Sequence, residues 1–70
     1  MTDSKTFRSV VSARGLKYKT LAAGLGITPY GLQKKIDNLS EFKASEIVKL
    51  AATLQLSERE RDQIFFCRDA

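Results

Sequence analysis

The 70-residue sequence has no histidine and no tryptophan, one cysteine and one proline. Without histidine it lacks the side chain most used for proton transfer near neutral pH and the commonest metal ligand. Cys67 stands alone: it has no partner for an internal disulfide and no second thiol at zinc-site spacing. No stretch approaches the roughly 20 apolar residues of a membrane span, and the opening MTDSKT is polar where a secretion signal would be apolar. The glycines of G-L-G at 24–26 follow no strand-like segment and lack the continuation of a phosphate-binding loop. Glu58, Glu60 and Asp62 read as the polar face and first turn of a terminal helix. No catalytic residue, metal or cofactor is expected, the protein is not expected to be an enzyme, and its expected location is the reducing cytoplasm.

Forty-three per cent hydrophobic and 29% charged residues suit a small folded domain rather than a disordered tail. A chain this short buries only about 60% of its extended surface, which favours an economical helical core or an oligomer. The net charge of +4 is unevenly placed. Residues 1–43 carry eight Lys/Arg against three Asp/Glu, net +5; residues 44–70 carry four against five, net −1. A basic half of this kind suits a phosphate backbone.

The apolar residues never alternate as a strand requires; they recur at helical spacing. Phe7, Val10, Val11 and Leu16 mark a first helix, capped by Ser4 or Thr6 and ended at Gly15. A short second helix over Lys19 to Leu25 places Leu21, Ala22 and Leu25 on one face and stops at Gly26. Thr28 and Pro29 read as an N-cap followed by proline at the first helical position, where its missing N–H costs nothing. The third helix then runs from about Pro29 to Asp37, with Leu32 and Ile36 facing inward. Asn38 to Lys43 is a loop in which Leu39 or Phe42 folds back as an apolar plug. A fourth helix from about Ala44 to Gln55 carries the stripe Ile47, Val48, Leu50, Ala51 and Leu54. Ser57 with Glu60 forms a capping box that opens the last helix. The expected fold class is all-α: five short helices in a single domain.

The stretch LGITPYGLQKK at 25–35 decides what those helices do. Gly26 sits where a three-residue turn needs positive φ, which a Cβ would oppose. Ala22, four residues earlier, is small enough for two helices to cross steeply, and Ile27 and Leu32 fill the angle between them. Thr28 and Pro29 launch the next helix. The stretch is therefore a turn that presents a helix.

On these residues, YKTLAAGLGITPYGLQKKIDN resembles the helix-turn-helix of the phage repressor family, the lambda-repressor-like or Xre-type DNA-binding domains. FRSVVSARGLK before it and SEFKASEIVKLAATLQLSERE after it extend the similarity over roughly residues 5–66. The sequence departs from the pattern at Tyr18 and Lys19, where Gln or Thr is frequent, and at the opening Pro29-Tyr30-Gly31. Gly24 and Gly31 each cost about 1 kcal/mol relative to alanine inside a helix. Gly31 either lets the backbone approach DNA closely or weakens the helix.

The resemblance implies a compact five-helix lambda-repressor-like domain with its helix-turn-helix at helices 2 and 3 and the third helix in the major groove of double-stranded DNA. Carried over position by position, the base-contacting residues are Pro29, Tyr30, Gln33 and Lys34. Gln33 suits adenine, Lys34 suits guanine O6 and N7, and Tyr30 or Pro29 suits a thymine methyl. Phosphate contacts fall to Lys17, Tyr18, Lys19 and Thr28 around the second and third helix starts, and to Lys35, Asn38, Ser40 and Lys43 after the third helix. The consecutive Ile64, Phe65 and Phe66 cannot all face one small core, and they are expected to form a dimer interface; the alternative is that Phe65 or Ile64 caps the core of a monomer and Phe66 sits partly exposed. Two copies then meet half-sites about 34 Å apart on a near-palindromic operator.

The function implied is a sequence-specific transcriptional regulator, a repressor of phage or prophage type that occludes promoter DNA, bacterial or phage-encoded and associated with the nucleoid. A Cro-like regulator and an antitoxin repressing its own operon are equally compatible. With no ligand-sensing second domain in view, control is expected to come from expression level or a regulatory protein partner. The alternative is a protein-interaction module on the same fold, antirepressor-like, with weak DNA affinity.

Overall fold

Asp3 opens the first helix. In the computed structural model, which describes residues 1–67, its side chain accepts from the backbone N–H of Thr6 at 3.1 Å and from the Thr6 hydroxyl at 2.7 Å. This corrects the expectation of a Ser4 or Thr6 cap. A carboxylate accepts both bonds at once and faces the positive end of the helix dipole, so it outcompetes the hydroxyls one to three residues later.

Five helices follow: α1 (Ser4–Arg14), α2 (Tyr18–Leu25), α3 (Pro29–Ile36), α4 (Ala44–Thr53) and α5 (Glu58–Phe65). The described residues contain no strand. Gly15 ends α1 and Gly26 ends α2, the latter at φ 72°, the left-handed conformation expected of the turn. The Thr28 hydroxyl accepts from the Gly31 N–H at 3.0 Å, with Pro29 at the first helical position. In the Ser57–Glu60 capping box, Ser57 N–H donates to the Glu60 carboxylate at 2.9 Å and Glu60 N–H donates back to Ser57 Oγ at 3.1 Å. Helix α4 stops two residues earlier than expected: Leu54 is its C-cap and Gln55 takes φ 54°.

One core unites the helices. Phe7 and Val11 of α1, Leu21 and Ala22 of α2, Leu32 and Ile36 of α3, Ile47 and Leu50 of α4, Leu54, and Ile64 and Phe65 of α5 are all buried. Helix α2 packs on both α3 and α4, while α1 and α4 pack on α5. Phe42 is the loop plug and Leu39 is not: Phe42 is half-buried, with ring centroids 6.1 Å from Phe7 and 5.2 Å from Phe65, whereas Leu39 is exposed. Val48 is also exposed. At 100° from Ile47 around α4 it leaves the buried stripe, which follows Ile47, Leu50 and Leu54 with Ala51 half-buried beside them.

The first three residues form a seam. Thr2 N–H donates to the Asn38 side-chain carbonyl at 2.8 Å, and Asn38 Nδ2 donates back to the Thr2 carbonyl at 2.9 Å. Asp3 N–H donates to the Ile64 carbonyl at 2.7 Å, and Cys67 N–H donates to the Met1 carbonyl at 3.1 Å. The N-terminus thus joins the loop after α3 to the end of α5. Ile64 and Phe65 both belong to the buried core, contrary to the expectation that they form a dimer interface with Phe66. Phe65 turns edge-on against Phe7, centroids 6.0 Å apart, and only Phe66 of the three is exposed.

Candidate functional site

The candidate site is the outer face of α3 with the chain ends on either side of it. Gly26, Ile27 and Thr28 join α2 to α3 in three residues, and Leu32 and Ile36 fix α3 by their burial. On a helix so anchored, Pro29, Tyr30, Gln33 and Lys34 fall on the sides away from the core. Pro29 and Tyr30 are exposed, Tyr30 at 73%, and Gln33 and Lys34 are half-exposed. Lys34 Nζ lies 5.7 Å from the centroid of the Tyr30 ring, a cation–π pair that holds both side chains along the helix. All four candidate base contacts therefore share one presented surface.

The candidate phosphate contacts separate into two sets. Lys17 and Lys19 are exposed at the start of α2, whose N-cap Lys17 makes no side-chain cap bond, so its first N–H groups remain available to an acceptor. Lys43 is exposed at the start of α4, and Ser40 is half-buried in the preceding loop. Thr28 is exposed, and its hydroxyl caps α3.

Three others are committed elsewhere. The Tyr18 side chain packs half-buried against the core. The Asn38 side chain is bound to both polar groups of the Thr2 backbone. Lys35 Nζ donates to Glu46 Oε1 at 2.6 Å, the two side chains 14% and 8% exposed. Asn38 thus stitches the N-terminal seam and Lys35 ties α3 to α4, roles that engage both side chains within the fold. The same Glu46 oxygen accepts the Lys43 N–H at 2.8 Å. Burial pushes the Glu46 carboxyl up, but the Lys35 ammonium and the Lys43 N–H outweigh it and hold the group below the usual range.

Two residues outside the expected set join the surface. Asp37, the C-cap of α3, accepts from Arg8 Nη2 of α1 at 2.6 Å on one oxygen and from Gln33 Nε2 at 3.2 Å on the other. The Arg8 and Gln33 hydrogen bonds hold its carboxyl below the usual range. The i, i+4 spacing of Gln33 and Asp37 was visible in the sequence; the arrival of Arg8 from α1 depends on tertiary packing.

No protein-family model, curated protein or solved structure matches this chain. A groove of about 360 Å³ bordered by Met1, Asn38, Phe42 and Phe66 includes none of the four α3 residues. A helix that enters a DNA groove is convex, so a reading surface on α3 calls for no cavity. Among the described residues no group of acidic, histidine or cysteine side chains is arranged to hold a metal ion, and no helix is long and apolar enough to cross a membrane.

Proposed function

We propose that the protein is a sequence-specific double-stranded DNA-binding regulator, with α2 and α3 as its helix-turn-helix in a lambda-repressor-like arrangement. In this reading α3 enters the major groove and promoter DNA is occluded by the bound domain. The observation that carries it is the shared outward face of exposed Tyr30 and half-exposed Gln33 and Lys34 on a helix anchored by fully buried Leu32 and Ile36, flanked by exposed cations at Lys17, Lys19 and Lys43. Gln33 and Lys34 supply hydrogen bonds to base edges, Tyr30 an apolar surface for a thymine methyl, and the three lysines charge neutralisation along the backbone. The uncapped start of α2 adds backbone donors for a phosphate.

The deciding experiment reverses two charges, Lys19→Glu with Lys34→Glu. Both side chains stand outside the core and neither joins a described ion pair. The double variant is expected to keep its helical signal and thermal midpoint while losing duplex binding. Retained duplex binding would contradict the reading.

A second reading, a protein-interaction module on the same scaffold, has its own observation. Phe66 and Met1 are 58% and 64% exposed at the border of the groove. In that reading Phe66→Asp abolishes partner binding and the lysine reversals leave it intact.

A further inference from the structure

Gln33 has a polar neighbour that restricts what it can read. A glutamine amide has two faces of opposite character, a carbonyl oxygen that accepts and an NH₂ that donates, and a free side chain turns either toward a base. Here the choice is constrained by Asp37, one helical turn along. An ionised carboxylate only accepts hydrogen bonds, so the group 3.2 Å from Asp37 Oδ2 must be the NH₂ of Gln33. Asp37 is itself held from the other side: Arg8 Nη2 of α1 donates to its second oxygen at 2.6 Å. Arg8, Asp37 and Gln33 thus form a chain from the first helix to the exposed face of α3, each bond fixing the next partner.

We propose that Asp37 is a specificity-positioning residue, anchored by Arg8, that orients the Gln33 amide to read adenine. With one Nε2 hydrogen spent on Asp37, Gln33 keeps one N–H donor and its Oε1 acceptor for the groove. Adenine offers N7 to accept and the N6 amine to donate, which matches that pair; guanine offers two acceptors and rejects the oxygen. An unanchored amide turns over at little cost and can also offer its NH₂ to the acceptors of guanine, which narrows the distinction. The inference rests on the DNA-binding reading of α3 and deepens it, because Asp37 touches no base and acts through Gln33.

Two measurements test it. The first needs no DNA: in ¹⁵N-labelled free protein, the two Gln33 side-chain amide protons should differ more in chemical shift than those of an exposed glutamine such as Gln63. That difference should collapse in Asp37→Asn and in Asp37→Ser, and its absence in the wild type would overturn the proposal. The second uses a duplex selected by the wild-type protein, with the base pair that depends on Gln33 found by its loss in Gln33→Ala. At that pair the adenine preference should fall about tenfold in Asp37→Asn, the scale of one bidentate contact. The double variant Gln33→Ala/Asp37→Asn should be no worse there than Gln33→Ala, and mixed-sequence affinity should be equal or higher because a negative charge is gone. An unchanged adenine preference, or an equal loss at every base pair, overturns the positioning role. Absence of duplex binding by the wild type itself would instead refute the reading on which the inference rests.

Discussion

Lys35 and Glu46 meet at 2.6 Å between α3 and α4, largely out of water, and the same carboxylate oxygen receives the backbone N–H of Lys43. One acidic side chain thus sets the spacing of two helices and closes the loop between them. Removing a single partner strands the other charge in a poorly solvated place. Lys35→Ala or Glu46→Gln should therefore cost about 2–3 kcal/mol, below the figure for a deeply buried pair because this one lies at the rim of the core. Urea unfolding at neutral pH measures it.

The acid dependence follows in sign. Glu46 lies below its ordinary value of 4.5 in the folded protein, so its contribution is complete above that pH and is lost as the pH falls further. Asp3, held low by the Thr6 hydroxyl and N–H, and Glu60, held low by the Ser57 N–H and hydroxyl, act in the same direction. The urea midpoint should fall between pH 5 and pH 3, and less steeply in Glu46→Gln than in the wild type. Identical slopes would contradict the role given to Glu46.

The glycines within and after α2 should respond oppositely to alanine. A Cβ at Gly24 meets nothing within 4 Å, so Gly24→Ala should stabilise by about 1 kcal/mol and raise the melting temperature by about 4–8 °C. At Gly26, with φ 72°, alanine should cost about 1 kcal/mol although there is space for it. Gly31 is tighter, since an added Cβ comes 3.3 Å from Thr28 Oγ1, the atom that caps α3. Thermal melts of the three single variants distinguish the cases.

Neighbouring phenylalanines at the end of α5 should also part company. Phe65→Ala opens the Phe7–Phe42–Phe65 cluster and should cost about 3–5 kcal/mol, enough to unfold much of a small domain. Phe66→Ala should change stability by less than about 0.5 kcal/mol. If copies associate through this end, sedimentation of Phe66→Asp should show the loss of association with the melting temperature unchanged.

The local chemistry of this fold is written plainly in the chain. Gly15, Gly26, Thr28-Pro29 and the Ser57–Glu60 box mark helix ends by interactions spanning four residues or fewer, so they can be read without tertiary knowledge. What escaped the sequence acts across the chain. The Lys35–Glu46 pair spans 11 positions, the Thr2–Asn38 stitch 36 and the Arg8–Asp37 bond 29. Lys35 and Asn38 consequently looked like free surface groups. Ile64 and Phe65 looked like competitors for one face because the seam of residues 1–3, which closes over the end of α5, has no pattern of its own. Asn38 and Gln55, both at positive φ, end turns that glycine usually ends, and only asparagine is a common substitute there.

Individual lysines should separate by their roles. Lys17→Ala, Lys19→Ala and Lys43→Ala should each weaken duplex binding for all sequences alike and reduce the salt slope by about one. None should lower the melting temperature appreciably, since all three side chains are exposed. Lys35→Ala should show the reverse pattern, with lost stability and an unchanged slope.

The most direct test is the salt dependence of binding to a fluorescent mixed-sequence duplex, read by anisotropy at 50 and 200 mM salt. Three phosphate-neutralising lysines on one domain predict about a 40-fold loss of affinity over that range, and two domains bound together predict the square of that, a loss of about 2,000-fold. A loss in this range supports α3 and its flanking cations as a DNA-binding surface, and its size reports how many copies bind. No binding at 50 mM, or binding indifferent to salt, would contradict the account.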